Sequence, residues 1–443
     1  MSARSVLPPG PRLPRALQAV AWTQRPLPFL ERCRERYGDA FTLRIMHWGD
    51  WVVLSDPADV KAVFTAGDAV GVALANPLLG PVLGPRSVML LEEPEHLQRR
   101  KLMLPAFHGR AVQADAEMMA AVARREVGRW PVGEPFELWP RMQEITQEVV
   151  MRAVFGAGEN RHLDELRERL RRLTAWLNSP RNLALLAAFG PGAMTRSRGY
   201  HETMRPVEEA VLAEARRRRA AQRDGEPPSD VVSMLVAARY EDGRPLSERD
   251  LRDELVTLLS DGPTSSTLAW AFERLLRNPA ALARTREEVL AGEDDTYLDA
   301  VIKETLRLRP PVPVVVRRLL RPMTLAGREL PAGTTVAPCI HLVHNDPATY
   351  PEPRRFRPER FLERPPGTYT WIPFGGGVRR CLAASYAEME MKRVIRTVLA
   401  SVRLEATGAG AEAVKKSAIS FSPARRGLVV AEPITAEPVA GAA

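Results

Sequence analysis

One stretch of the chain combines residue types that can hold a metal ion beside a flat ligand. It begins at Phe374, continues through three glycines, and reaches Arg379, Arg380 and Cys381 before an amphipathic run over residues 383–399. Glycine lets the backbone approach a ligand closely. A thiol that precedes a helix and lies beside two cations is expected to have a lowered pKa, and a thiolate binds metals. The alternative is an inert buried thiol, the usual state of a lone free cysteine.

Composition limits the classes of function that this stretch can serve. The chain has 443 residues, of which 45% are hydrophobic and 26% charged, as in ordinary globular proteins. Its net charge is +9, but the basic residues lie beside acids, as in residues 165–172. This pattern indicates solvated helix faces, so we expect no nucleic-acid partner. An acidic protein partner would explain the charge equally well.

Cysteine usage and hydropathy indicate where the protein resides. Cys33, Cys339 and Cys381 are too few and too far apart for a disulfide framework or a zinc site. We therefore expect a reducing compartment. The sequence has no uninterrupted apolar run of membrane-spanning length and no signal-peptide pattern, so we predict no membrane anchor and a cytoplasmic location.

The hydrophobic pattern predicts a mostly α protein with a small β region. Amphipathic helical patterns dominate from about residue 95 to residue 308, and short strand-like runs follow. The longest helical pattern, residues 251–277, is interrupted at Pro263, where proline should bend the helix. We predict a single domain over residues 1–430, with a proline-rich lead-in over 1–20 and a disordered tail over 431–443.

The spacing Phe374-x-x-Gly377-x-Arg379-x-Cys381-x-Ala383 resembles the haem-binding loop of the cytochrome P450 family. The resemblance implies haem b (iron protoporphyrin IX) as cofactor, with Cys381 as the metal ligand, between the proximal cysteine loop and a long distal helix. It also implies that Phe374 packs near the sulfur, that Gly377 lets the loop pass under the porphyrin, and that Arg379 pairs with a propionate. Most members have glycine at the position of Ala383.

Two further segments resemble P450 motifs in the expected order. Glu304 and Arg307 match the ExxR pair and are neighbours on one helix face. Arg360 lies in the Phe-Arg-Pro-Glu-Arg-Phe segment downstream. The resemblance implies a buried cluster of these three side chains behind the haem loop, with a structural role.

Candidate propionate ligands lie elsewhere in the sequence. His96 and Arg100 share a helix face at i,i+4 spacing. Their spacing alone is equally compatible with a basic surface stripe, whereas the resemblance implies propionate binding. Arg317 is a similar candidate by resemblance, with Arg318 as its alternative.

The interrupted helix departs from the family pattern. Members usually carry an acid followed by threonine there, and both deliver protons for oxygen activation. This chain has Thr264 at the acid's position and Ser265 at the threonine's position, with Asp261 three residues before Thr264. Alcohols do not ionise near neutral pH. Proton delivery could be rebuilt around Ser265, Asp261 and water; oxygen activation could be less coupled; or the oxidation could be atypical. We favour the first hypothesis.

The resemblance implies a haem-thiolate monooxygenase that uses dioxygen and electrons from a separate ferredoxin-type donor with its reductase. We expect the donor near Arg379, Arg380, Lys392 and Arg393, and the protein to be a monomer. Apolar segments predicted to contact substrate are residues 70–84, 183–192, 255–265, 312–315 and 419–421. They predict a lipophilic small-molecule substrate, such as a terpenoid, polyketide or fatty acyl secondary metabolite, and the resemblance implies that it is hydroxylated or epoxidised.

Two other classes of function are compatible with parts of the sequence. A haem-thiolate sensor or carrier without turnover would tolerate the altered Thr264-Ser265 pair. A basic helical protein that binds nucleic acid would leave the cysteine loop unexplained.

Overall fold

The computed structural model describes residues 7–72, 79–156, 161–177, 179–223, 230–260, 263–292, 294–408, 410–417 and 420–434. Within these ranges the chain forms a mostly helical single domain with small sheets, which confirms the predicted fold class. The helices are α1 Arg15–Gln24, α2 Pro26–Tyr37, α3 Pro57–Phe64, α4 Leu79–Leu83, α5 Glu95–Met103, α6 Arg110–Val127, α7 Leu138–Phe155, α8 Arg161–Leu177, α9 Pro180–Phe189, α10 Pro191–Thr195, α11 Arg198–Arg223, α12 Val231–Ala237, α13 Glu248–Leu259, α14 Thr264–Leu276, α15 Pro279–Ala291, α16 Thr296–Leu308, α17 Ile340–His344, α18 Arg360–Glu363 and α19 Ala384–Ser401.

The strands form small sheets at the edges of the helical body. They are β1 Ala40–Ile45, β2 Gly49–Leu54, β3 Val70–Gly71, β4 Pro135–Glu137, β5 Arg317–Leu319, β6 Met323–Leu325, β7 Arg328–Leu330, β8 Thr335–Pro338, β9 Val402–Ala406, β10 Val414–Ser417, β11 Ser420–Pro423 and β12 Leu428–Pro433. One sheet has the order β1-β2-β8-β5-β3 and another β4-β12-β9, while β6-β7 and β10-β11 are hairpins. In the largest sheet β2 pairs in parallel with β8, with Val53 opposite Ala337.

The helical core follows from apolar residues spaced three and four positions apart. On α8, Leu163, Leu166, Leu170 and Leu173 are buried and share one face. The main cluster joins α6 to α19 and α7 to α14. These four helices therefore form the frame that positions the candidate site.

Two predicted boundaries differ from the structure, and one predicted substrate segment is largely helical. The 251–277 pattern is divided into α13 and α14. Substrate segment 183–192 spans the end of α9 at Phe189, then Gly190 with a φ of 75°, and the start of α10 at Pro191. Strand β12 continues to Pro433 and pairs with β9, so regular structure extends three residues beyond the predicted boundary at 430.

Across the described ranges, no helix combines the length and the apolarity needed to cross a lipid bilayer.

Candidate active site

The segment from Phe374 to Ala383, here called the cysteine loop, folds back on itself ahead of α19. The Cys381 N–H donates to the Phe374 carbonyl at 2.8 Å, and a short 3₁₀ turn covers Gly377–Arg379. Cys381 is accessible to solvent, whereas Cys33 and Cys339 are buried. The loop thus leaves one thiol of the three open to a ligand.

Although water can reach Cys381, the surrounding protein desolvates it strongly. Burial raises the pKa of the thiol, and the opposing effects of the Ala383 N–H, Arg380 and Arg100 are smaller. The predicted lowering of the pKa is therefore wrong for the protein alone, because the sequence showed the cations but not the desolvation. A coordinated metal would deprotonate the thiol outright.

Two glycines of the cysteine loop, Gly376 and Gly377, are required because the loop packs directly against α3. Gly377 has a φ of 65°, and a Cβ there would lie 1.9 Å from the carbonyl oxygen of Phe64. A Cβ on Gly376 would lie 2.3 Å from the Phe64 ring. Gly375 has a φ of 70° with open space around its missing Cβ. Close packing against Phe64 was not visible in the sequence, which suggested only an approach to the porphyrin.

Behind the loop, Glu304 lies at the centre of a buried hydrogen-bonded cluster. Arg307 donates to both Glu304 oxygens at 2.7 and 2.9 Å, and Arg360 donates at 3.2 Å. The backbone N–H of Arg357 donates a fourth bond at 2.9 Å. The structure thus brings together the three side chains that the motif predicted. The carboxylate is fully satisfied, and each guanidinium also contacts backbone carbonyls.

Four predicted propionate ligands lie in one region beside the cysteine loop, and we call them the cation cluster: His96, Arg100, Arg317 and Arg379. Arg379 lowers the pKa of both His96 and Arg317, after burial as the main cause. Arg100 in turn is close enough to Cys381 for the two charges to interact. The four cations therefore lie near one another, and Arg100 connects them with the thiol.

Part of the cation cluster is paired with acids that the sequence reasoning missed. Glu93 accepts from His96 Nδ1 at 2.7 Å and lies 3.6 Å from Arg379, while Glu92 lies 3.4 Å from Arg379. Both acids immediately precede the helix that carries His96, so proximity along the chain was the available signal.

Arg100 and Arg317 differ from these paired members. Within the described chain neither forms an ion pair, and Arg317 donates only to the Val316 carbonyl at 2.9 Å. Burial lowers the pKa of Arg317 to about 10. Glu92 acts on Arg317 without forming an ion pair with it, so two partly desolvated guanidiniums remain that suit a ligand with two carboxylates. Arg317, not its alternative Arg318, has this position, because adjacent strand residues face opposite sides.

The opposite wall is the broken helix formed by α13 and α14. The Ser260 N–H and hydroxyl both donate to the Val256 carbonyl, and α14 restarts after Pro263. Ser265 is buried and Thr264 is half-buried in the first turn of α14. The third predicted proton-delivery residue, Asp261, lies outside the described residues.

Three consecutive residues of α13 hold the backbone of the 83–88 segment, and we call them the charge clamp. Arg252 donates to the Leu83 carbonyl at 2.9 Å, Asp253 accepts from the Arg86 N–H at 2.9 Å, and Glu254 accepts from the Val88 N–H at 2.9 Å. The clamp fixes the C-terminal end of the predicted 70–84 substrate segment against α13.

Arg99 completes the charge clamp from α5. It donates to Glu254 and to Asp250, each at 2.6 Å, and is 1% exposed. Burial nevertheless raises the pKa of Glu254 to about 7. The sequence did not reveal these contacts of Arg99, since its acidic partners are about 150 residues away in the chain.

The predicted donor-docking cations are only partly available at the surface. The side chain of Arg379 is 8% exposed and belongs to the cation cluster. Lys392 pairs with Asp299 at 2.8 Å, and the Nε of Arg393 is buried. Arg380 is half-buried over the Phe374 ring. The four residues therefore do not form the free basic patch that the sequence suggested.

Comparison with known proteins identifies this arrangement. The family model for cytochrome P450 matches residues 7–426. The chain belongs to the cytochrome P450 family. Cytochrome P450 135B1 of Mycobacterium tuberculosis strain H37Rv is 42% identical over 433 residues, covering 95% of this chain and 90% of the relative. Cytochrome P450 138 of the same strain is 36% identical over 437 residues, covering 96% of each chain.

Solved P450 structures share the fold. A cyanobacterial CYP120A1 with bound retinoic acid has a TM-score of 0.81 and 23% identity, covering 97% of this chain and 99% of that one. The haem domain of cytochrome P450DA has a TM-score of 0.83 and 22% identity, covering 97% and 98%. The predicted family is thus confirmed. The cofactor of this P450 is haem b, and its chemistry is that of an oxidoreductase of the monooxygenase type.

Proposed function

We propose that this P450 is a monooxygenase that hydroxylates or epoxidises a lipophilic small molecule, with Cys381 as the iron ligand. One observation carries the proposal: the accessible thiol interacts with Arg100, and Arg100 and Arg317 are half-buried guanidiniums that form no ion pair within the described chain. A thiolate for the iron and two cations for the propionates would together hold haem b.

The chain's own residues hold and orient the cofactor. Arg100 and Arg317 bind the propionates. His96 and Arg379 also bind them, either in place of their contacts with Glu92 and Glu93 or in addition to those contacts. Phe374 packs near the sulfur, and Gly377 keeps the loop against Phe64. When bound, a thiolate-ligated haem supplies dioxygen activation. The Glu304 cluster keeps the loop from shifting, since removing any one member would leave a buried charge unpaired.

On the distal side Ser265 is the proposed proton-relay group, with Thr264 and Asp261 as further members. The interruption before α14 supports this role, because the first N–H groups of a helix have no partner within it and can hold water. A hydroxyl moves a proton only through another group, so Ser265 would act together with water.

Electrons would come from a separate ferredoxin-type protein and its reductase. The net charge of +9 favours encounter with an acidic donor. Because Arg379 is engaged inside the protein, the partly exposed Arg380 and Lys392 are the better candidates for this encounter.

The first experiment is an absorbance spectrum of the purified protein. Reduction in the presence of carbon monoxide should give the red-shifted Soret band of a thiolate-ligated haem. Cys381→Ala should abolish that band, whereas Cys33→Ala should preserve it. A protein that binds no haem, or a Cys381→Ala variant that keeps the band, would overturn the assignment of the ligand.

A haem sensor or carrier is the second candidate function, favoured by the alcohol at the position of the usual distal acid. Turnover separates the two. With a surrogate ferredoxin, its reductase and a panel of apolar compounds, a monooxygenase forms product in step with dioxygen consumption. Ligand-induced spectral changes without oxidised product from any compound would instead support the sensor.

A further inference from the structure

Lys416 is a largely desolvated lysine among tryptophan rings. Its Nζ lies 5.0 Å from the ring centroid of Trp22 and 5.8 Å from that of Trp48. Trp51 packs edge-on against both rings, at 5.8 and 6.3 Å. We call Trp22, Trp48 and Trp51 the tryptophan cluster. Aromatic faces attract a cation, but they carry no net charge that could neutralise it.

Burial shifts the pKa of the Lys416 ammonium. It lowers this pKa to about 8, and no carboxylate of the described residues opposes that effect. Asp50, the acid on the same hairpin as Trp48 and Trp51, is held by Arg15 at 2.5 Å and lies 3.9 Å from Arg44. Lys416 is half-buried, and desolvating an ammonium costs free energy unless an anion accompanies it. The site therefore offers a cation that has no carboxylate partner among the described residues.

The position of Lys416 links it to the predicted substrate segments. Lys416 is directly opposite Phe421 in the β10–β11 hairpin. The Phe421 N–H donates to the Pro311 carbonyl at 2.9 Å, and its carbonyl accepts from Trp270 Nε1 on α14 at 3.1 Å. The hairpin thus joins the segment before residues 312–315 to the helix that carries Ser265.

The tryptophan cluster also approaches the 183–192 segment. His47, next to Trp48 in the β1–β2 turn, contacts the Ala188 carbonyl through Nε2 at 2.9 Å. Phe189 beside it is 68% exposed. Three of the predicted substrate segments lie in, or next to, the elements that meet around Lys416. Apolar rings lie on the sides of Lys416.

We propose that Lys416 binds the carboxylate of an amphipathic substrate, so that this P450 oxidises a lipophilic carboxylic acid. The inference rests on the proposed monooxygenase function and specifies its substrate class. The ammonium pairs with the acid group, the tryptophan cluster contacts the first part of the apolar chain, and the remainder extends towards α14. A single ammonium without neighbouring donors suits a carboxylate, whereas a phosphate would call for additional donors.

The test compares acids with neutral molecules of the same length. Octanoic, dodecanoic and hexadecanoic acids and the matching alcohols are titrated into the haem-loaded protein and followed by tryptophan fluorescence and by the Soret band. Lys416→Met should weaken acid binding by about ten- to a hundredfold, the range expected for a lost charge-assisted hydrogen bond. It should leave alcohol binding within about threefold, because the apolar contacts persist.

Two control variants make the result specific. Lys416→Arg should retain most of the affinity for acids, since it keeps the charge. Lys415→Met removes an exposed lysine on the other face of the same strand and should change neither ligand class. Denaturant unfolding of each variant shows whether the hairpin still folds.

The outcomes separate this inference from the proposed function. An intact thiolate Soret band with equal binding of acids and alcohols, or with no binding of either, overturns the role of Lys416 alone. Equal loss of both ligand classes in Lys416→Met shows a purely structural lysine and also overturns it. Absence of the thiolate band overturns the proposed function, while fluorescence still reports whether Lys416 selects acids.

Discussion

The two walls of the site differ in how tightly the structure holds their residues. On the proximal side Glu304 accepts four hydrogen bonds, and Gly377 packs against Phe64 with no room for a side chain. On the distal side the helix is broken between Ser260 and Thr264, and Ser265 stands in the first turn of the second half. Hydrogen bonds and close packing hold the proximal wall in place. The helix of the distal wall is interrupted where the chemistry would take place.

This difference separates what the family shares from what distinguishes this chain. A buried charged cluster makes the loss of any single member costly. The first N–H groups of a helix have no partner within that helix, so an interruption leaves room for water to bind them. If the proposed function holds, the proximal wall would keep the haem in place, and the distal wall and substrate segments would set which reaction occurs.

The largest expected effect tests the rigidity of the proximal wall. Glu304→Ala leaves Arg307 and Arg360 buried without their acid and should lower the free energy of unfolding by about 3–5 kcal/mol. Denaturant unfolding and haem content measure it. Glu352→Ala, which breaks the exposed pair with Arg355, should cost no more than about 1 kcal/mol. Similar losses in both variants would contradict the distinction between the buried cluster and the surface.

The next prediction concerns catalysis at the distal wall. Ser265→Ala should reduce product formation by about a hundredfold, at the lower end of general acid–base contributions, while haem binding persists. Product formed per NADH consumed gives the coupling directly. Ser266→Ala removes the neighbouring buried hydroxyl and should have a much smaller effect. Equal coupling in wild type and Ser265→Ala would refute the relay.

A matched pair of glycines measures how tightly the cysteine loop packs. Gly375→Ala should lower the free energy of unfolding by about 1–2 kcal/mol, which is the cost of a positive φ alone. Alanine at Gly377 has the same cost and also collides with the Phe64 carbonyl, so we expect a further loss of roughly 1–3 kcal/mol. Unfolding midpoints and haem retention compare the two variants. Indistinguishable variants would show that the loop can move away from α3.

The smallest effect concerns the charge clamp and appears as pH dependence. The pKa of Glu254 is raised to about 7 from an ordinary value of 4.5, so protonation of this group stabilises the folded protein. Its contribution should fall as pH rises from about 4.5 to about 7 and stay constant above that. Across this window the free energy of unfolding of wild type should therefore fall by at least about 1 kcal/mol more than that of Glu254→Gln.

The comparison for Glu254 must be made against wild type at each pH, because Asp250 acts in the opposite direction. The pKa of Asp250 is lowered, with hydrogen bonds from Arg86 and Ser247 and the charge of Arg99 outweighing its burial. Its contribution is present above its unfolded pKa and is lost as pH falls. A difference between Glu254→Gln and wild type that stays constant from acid to neutral pH would contradict the shifted carboxyl.

Local patterns in the sequence were sufficient for most elements and for the chemical groups of the site. Residues 161–177 form one helix as their spacing predicted, and Glu304 meets Arg307 because i,i+3 residues are neighbours on a helix. Within residues 183–192 the Gly190-Pro191 step ends α9, and α10 begins directly after it. The pKa direction of Cys381 was wrong because desolvation depends on distant parts of the chain.

The sequence by itself determined the family and the order of its supporting motifs, because each depends on residues close together in the chain, and it supplied the candidate thiol ligand that is proposed above. Only the tertiary structure decided the partners of those residues. It placed Glu92 and Glu93 against the cation cluster, Phe64 against the glycines, Arg99 against the charge clamp, and Lys416 among tryptophans. Charge pairing and desolvation act over distances of a few ångströms in space, and separation along the chain does not reveal which residues will meet.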